Sequence, residues 1–138
     1  MLLLDTHAWI WTVDGAERRV GPRSRRLIAQ AAGQEAVRVS CMTVFEIVAL
    51  HTAGRLQLSR PVEEWIEDSL DRPGVRLAEL TRVAAADAGF IPRVALSDPL
   101  DRLLVATARQ LDATLVTGDS AILAYARTGS VRVHDVAR

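Results

Sequence analysis

Five apolar runs recur along the chain at strand length and with β-branched content: Leu2 to Leu4, Val37 to Val39, Val75 to Leu77, Thr114 to Val116 and Val131 to Val133. Between them lie segments whose apolar spacing predicts helices over Thr6 to Val13, Pro22 to Ala32, Thr43 to Ala53, Pro61 to Leu70, Thr81 to Phe90, Asp98 to Leu111 and Ser120 to Arg127. Strands alternating with helices in this way constrain the chain to an α/β domain with a mostly parallel central sheet of about five strands flanked by helices. The punctuation agrees. Asp14-Gly15, Gly33, Gly54, Pro73-Gly74, Gly118 and Gly129 fall between periodic segments, and Pro22, Pro61 and Pro99 suit first helical turns.

At 138 residues the chain is expected to form one domain over 1–138, burying roughly 68% of its unfolded surface by the usual scaling. Net charge is zero, with 17 basic and 17 acidic residues, so bulk positive charge cannot be what holds an anionic polymer. All 17 basic residues are arginine, which excludes any chemistry that needs a lysine, including the P-loop and Schiff bases. The single cysteine, Cys41, has no internal disulfide partner, and the first apolar run stops at Asp5, too short for a signal peptide. A cytoplasmic location is the expectation. No apolar stretch is long enough to cross a membrane, so no membrane partner is expected.

Four carboxylates, Asp5, Glu46, Asp101 and Asp119, each stand where a strand has ended or a helix begins. In a parallel α/β sheet those points lie along one edge, where such folds place ligands. Each acid also has a purely structural reading. Asp98-Pro99-Leu100-Asp101 reads as a cap, a first-turn proline and an acid that favours the helix start; Thr43 to Glu46 matches a capping box; Asp5 and Asp119 can cap the helices that follow. Independent caps need not share one sheet edge, whereas a metal site requires it. Asp101 is read as a ligand, and Asp98 as a cap or supporting group that can pair with Arg102 four residues on.

Oxygen-only ligands select a hard cation, Mg²⁺ or Mn²⁺, over Zn²⁺, and His7, His51 and His134 lack zinc-ligand spacing. Such a site can activate a water and brace charge on a phosphodiester, so hydrolysis of a nucleic-acid backbone is the natural use. One ion or two are both compatible with the spacing. For substrate contact the basic cluster is Arg18, Arg19, Arg23, Arg25 and Arg26, five arginines in nine residues, with Arg102 beside Asp101; the alternative is a solvated helix face. The first helix is apolar on more than one side through Trp9, Ile10, Trp11 and Val13, and must be covered by a second layer of the chain, a second copy or a partner protein. Trp65 could adjoin Trp9 and Trp11 in a partner-binding groove, or the tryptophans simply fill the core.

The motifs Leu3-Leu4-Asp5-Thr6-His7, Thr43-Val44-Phe45-Glu46-Ile47, Asp98-Pro99-Leu100-Asp101-Arg102-Leu103-Leu104 and Thr117-Gly118-Asp119 together resemble those of PIN-domain nucleases, especially VapC-type toxins. Gly54-Arg55-Leu56, followed by Pro61 and Trp65, resembles one bacterial branch of that family. The resemblance covers essentially the whole chain. It implies a PIN-like three-layer α/β domain and a Mg²⁺- or Mn²⁺-dependent endoribonuclease, the toxin of a type II toxin-antitoxin pair. Asp5 and Asp101 match the principal metal ligands, Glu46 the second acid, Asp119 the fourth, and Thr117 a polar position beside the metal. It also implies a small VapB-like antitoxin lying across the active-site groove, and a homodimer. One departure stands out: Ala95-Leu96-Ser97 replaces the segment where relatives often carry a histidine before the Asp-Pro pair.

Two readings compete with a nuclease. A PIN-like fold without catalysis would serve only as a binding or regulatory module, against which the retention of all four acids argues. A phospho-acceptor receiver domain also places acids at strand ends, but it relies on a lysine that this chain lacks.

Overall fold

The computed structural model describes residues 1–138. Its elements follow the alternation read from the sequence: β1 (Leu2–Leu4), α1 (Thr6–Val13), α2 (Pro22–Gly33), β2 (Val37–Ser40), α3 (Cys41–Thr52), α4 (Val62–Leu70), β3 (Val75–Ala78), α5 (Arg82–Phe90), α6 (Pro99–Gln110), β4 (Thr114–Thr117), α7 (Ser120–Ala126) and β5 (Val133–Asp135). The five strands form one sheet in the order β3-β2-β1-β4-β5, with every neighbouring pair parallel. The chain therefore winds outward from β1 through β2 to β3, then returns to the other side of β1 for β4 and β5. That reversal opens a crevice at the carboxyl ends of β1 and β4, where doubly wound sheets accept ligands.

Strand alternation sorts the core into two layers. Leu4, Val37, Val39 and Val116 face α1, α2, Ile47 of α3 and Trp65 of α4, whereas Leu3 and Leu115 face Leu104, Val105 and Ala108 of α6 and Ile122 of α7. Helix α5 packs on α6 rather than on the sheet, through Ala84, Ala88 and Ala106. The short alanine side chains let the two helices approach closely. No helix is long and apolar enough to cross a membrane.

Three local expectations are corrected. The last strand is Val133–Asp135, two residues later than the apolar run: Val131 is buried beside Ile122 in the α6–α7 layer, and in-register pairing starts only where Val133 meets Leu115. Helix α3 starts at Cys41, because the Ser40 hydroxyl accepts the Met42 amide at 3.1 Å and caps it there. Thr43 is thus already helical, its hydroxyl accepting from Thr6 at 3.3 Å, and no capping box with Glu46 forms. Finally, Trp9 and Trp65 do not line a groove. Both are fully buried, edge to face at 4.9 Å between centroids, and the Trp65 indole N–H donates to Asp14 at 2.8 Å. The over-apolar α1 is covered by its own chain, with Leu56, Leu58, Val62, Ile66 and Leu70 packed against the cluster that holds Trp9.

Candidate functional site

The end of β1 sets the site. Leu4 pairs in register with Val116, and the Asp5 amide continues the ladder by donating to the Val116 carbonyl at 3.0 Å. Asp5 thereby stands at the crevice as N-cap of α1, one carboxylate oxygen accepting the Ala8 amide at 2.8 Å. The other accepts the hydroxyl of Thr117, the last residue of β4, across 112 residues of sequence. The same Thr117 hydroxyl accepts the Asp119 amide at 3.0 Å, and an Asp119 oxygen caps α7 by accepting the Ile122 amide at 3.0 Å. A single buried hydroxyl thus braces two acids from opposite ends of the chain.

Helix α6 brings two more carboxylates. Asp98 caps it, accepting the Leu100 amide at 2.8 Å, and Asp101 follows in its first turn without a hydrogen-bond partner of its own. Glu46 extends from the second turn of α3. The caps proposed as the innocent reading are real for Asp5, Asp98 and Asp119, yet capping does not displace them from the site. All five acids, Asp5, Glu46, Asp98, Asp101 and Asp119, line one cavity of about 570 Å³. The remainder of its wall comes from Thr6, His7 and Trp11 of α1, Leu50 of α3, Arg55, Leu104 and Gly118.

Two further cavities carry no such constellation. The one at the opposite edge of the sheet, about 220 Å³, includes Arg109 and Arg132, which already pair with Asp87 and Asp112. The other, beside β3, has Glu79 as its only acid.

Burial, reinforced by crowding of like charge, raises two of the acids. Burial, and after it the charges of Asp119, Asp98, Glu46 and Asp5, push the Asp101 carboxyl up to about 7 from an ordinary carboxylate value. Asp5, 6% exposed, is also raised by burial, against the opposing pull of Thr117, the Ala8 amide and His7. The acids converge without forming a closed cage: no three His, Cys, Asp or Glu side chains are already grouped at metal-ligating separation.

The arginines divide. Arg25 donates to the carbonyls of Glu17 and Val20 and holds the loop before α2, so it is a structural residue. Arg18, Arg23 and Arg26 stand outside the cavity lining. Arg19 reaches it indirectly, its guanidinium 5.4 Å over the Trp11 ring. Arg102 neither lines the cavity nor pairs with Asp98; the ion pairs are Arg60–Asp68, Arg76–Glu35, Arg109–Asp87 and Arg132–Asp112, and the Arg102 Nε is buried without a partner. Of the tryptophans proposed for a groove, Trp11 alone reaches the site.

His7 and Arg55, both within motifs quoted from the sequence, were given no role at the site there, yet both line the cavity. His7 lies one helical turn before Trp11, with ring centroids 5.6 Å apart, and that spacing of four was the available signal. Arg55 enters through the way α3 ends. Gly54, at φ 72°, turns the chain, the Gly54 amide donates to His51 and the Arg55 amide to Leu50, a Schellman motif that delivers Arg55 to the wall.

A family model for the PIN domain matches residues 2–128. Ribonuclease VapC22 of Mycobacterium tuberculosis is 30% identical over 133 residues, covering 96% of this chain and 97% of that protein. Among solved structures, VapBC2 of Rickettsia felis bound to a promoter DNA fragment superposes with a TM-score of 0.69 at 14% identity, covering 96% of each chain. DNA-bound VapBC of Salmonella typhimurium gives 0.68 at 18% identity, over 97% of this chain and 96% of that one. These structures share the fold, and with the family model and the Mycobacterium relative they establish that this chain belongs to the PIN-domain family.

Proposed function

We propose that the chain is an endoribonuclease that hydrolyses RNA phosphodiester bonds with the help of Mg²⁺ or Mn²⁺, and that it is the toxin of a type II toxin-antitoxin pair. The observation that carries this is the convergence of Asp5, Glu46, Asp101 and Asp119 on one cavity at the β1/β4 crevice. The likeness to a protein named a ribonuclease supports RNA as the substrate.

The residues fit a hard divalent cation. The donors are carboxylate oxygens, and their mutual repulsion, visible at Asp101, is what a bound cation relieves. An open arrangement suits Mg²⁺, which keeps several waters and binds through one or two carboxylates plus phosphate oxygens. Asp5 and Asp101 would hold the ion, with Glu46 and Asp119 reaching it directly or through water. When bound, it lowers the pKa of a coordinated water and offsets charge on the phosphoryl oxygens.

The chain's own groups do the rest. Thr117 fixes the Asp5 carboxylate, so its free lone pairs point in one direction, and also anchors the Asp119 backbone. The Ala8 amide and the Thr117 hydroxyl each take one lone pair on the two oxygens of Asp5, and the Ile122 amide takes one oxygen of Asp119, leaving the other Asp119 oxygen and the remaining Asp5 lone pairs to the cavity. Glu46 lines the cavity from α3 without an internal hydrogen-bond partner, so its carboxylate would accept from a water bound there.

Two partners belong to this reading. A small VapB-like antitoxin is supported by the likeness to VapBC complexes. A second copy of the chain is supported by exposed apolar side chains on α3 and around the end of α5, where Phe90 is 85% and Val94 98% exposed, with Phe45 and Val48 also exposed.

The test is cleavage of total cellular RNA by purified, partner-free protein with Mn²⁺, with EDTA, and with Asp101→Asn. Discrete cuts that need the metal and vanish in the variant are expected. Folded protein that cuts nothing in any lane would leave a binding module instead.

A further inference from the structure

Arg55 is the one arginine in a wall that holds five carboxylates, yet it forms no ion pair with any of them. Exposed ion pairs of flexible side chains are weak, so an unpaired guanidinium at this wall stays available to an incoming anion. Here the Schellman turn at Gly54 fixes where its backbone leaves α3, and Leu50, whose carbonyl accepts the Arg55 amide, lies beside it in the wall.

A second cation stands on the opposite side. Trp11 leans toward Gly118 and Val136, since a Cβ built on Gly118 would lie 3.1 Å from Val136 and 3.5 Å from the Trp11 ring. Those residues follow β4 and β5, whereas Arg55 follows the helix that springs from β2. Strands β2 and β4 flank β1, so Arg55 reaches the wall from the β2 side of the central strand, while Trp11, with Arg19 over its ring, meets Gly118 on the β4 side. Neither guanidinium forms an ion pair or a hydrogen bond within the protein.

We infer that Arg55 and Arg19 are positioning residues that each hold a backbone phosphate on either side of the scissile one, so that single-stranded RNA crosses the acidic cavity from the end of α3 to the loop after α1. The inference rests on the nuclease reading. An acidic cavity repels a polyanion, and cations on both flanks offset that repulsion without neutralising the acids themselves. Trp11 holds the Arg19 guanidinium over its ring, which reduces the ordering cost when a phosphate arrives. The arginines act on binding rather than on the reacting atoms.

The experiment follows kcat and KM for a single-stranded RNA that the wild-type protein cuts, over a range of salt, in Arg55→Ala, Arg19→Ala, the double variant and Arg55→Lys. Each alanine variant is expected to raise KM several-fold with kcat within about twofold, and to lower the slope of log(kcat/KM) against log salt by about 0.7, the loss of one phosphate contact. The double variant should lose about twice that, and Arg55→Lys should recover most of the slope because it keeps the charge. An unchanged slope overturns the inference, because neither arginine would then contact a phosphate. Loss of kcat at constant KM overturns it in favour of a role on the reacting phosphate. Wild-type protein that cuts no RNA sinks the nuclease reading and this inference together, whereas wild-type cleavage with insensitive variants sinks this inference alone.

Discussion

Replacing Asp101 with asparagine should stabilise the metal-free protein while abolishing cleavage. The carboxyl stands at about 7 in the folded chain, against an unperturbed 3.8, a gap of about three units. At 1.36 kcal/mol per unit the ceiling is about 4 kcal/mol, and because Asp101 is only half-buried, solvent screening reduces this to roughly 1–2 kcal/mol. The sign follows from proton counting. Between about 3.8 and about 7 the folded state binds more protons than the unfolded, so stability falls as pH rises through that window, and above it the whole penalty is present. Asparagine never ionises, so the variant and the wild type should unfold alike below about pH 4 and diverge toward pH 8.5, by roughly 3–8 °C in Tm for a chain of this size. Thermal unfolding in EDTA at both pH values measures this. Adding Mg²⁺ should then raise the wild-type Tm and leave the variant nearly unmoved, closing the gap. Equal stability in EDTA at pH 8.5 would refute the reasoning, because it would mean that neither burial nor the neighbouring carboxylates disfavour the Asp101 charge.

Thr117→Val keeps the shape of a fully buried side chain but removes the hydroxyl that braces Asp5 and Asp119; it should cost roughly 1–3 kcal/mol in urea unfolding. Without that donor the Asp5 carboxyl, already raised by burial, rises further, so the acidic limb of the pH–rate profile should move to higher pH; an unmoved limb counts against Asp5 as the titrating group. Phe90→Ser changes a side chain that touches little of its own fold, so stability should stay within about 0.5 kcal/mol. If that face joins two copies, sedimentation velocity should show weakened self-association, and an unaltered distribution excludes it.

The parallel sheet was legible because its central strands, β1 and β4, are buried on both faces and read as continuous apolar runs, while β2 and β3 keep the β-branched alternation of flanking strands. The acids were legible for a related reason: Asp5 and Asp119 each end such a run, and Asp98 and Asp101 surround a first-turn proline. What the sequence could not carry was tertiary. The choice between Ser40 and Thr43 as the cap of α3 depends on how far β2 extends beside β1 and β3, and the position of β5 depends on register with Leu115. Trp9 and Trp65 share one composition signal with Trp11, and only packing separates two core fillers from one wall residue. Arg55 was hidden for a different reason: a Schellman turn is visible as Gly54, but which way it aims the next side chain is not. The basic cluster misled in part, since Arg25 spends its charge on loop carbonyls.

The order in which strands enter the sheet also bears on when activity can arise during synthesis. Strand β1 leaves the ribosome first, yet the neighbour that completes its crevice side, β4, is made more than a hundred residues later, as the 112-residue separation of Asp5 and Thr117 records. Until Thr117 and Asp119 emerge from the exit tunnel, Asp5 lacks its brace and the cavity lacks a wall. On the nuclease reading, a nascent chain is unable to cut RNA beside the ribosome that is making it until β4 and the start of α7 are free, and that whole interval is open to an inhibitor made in parallel.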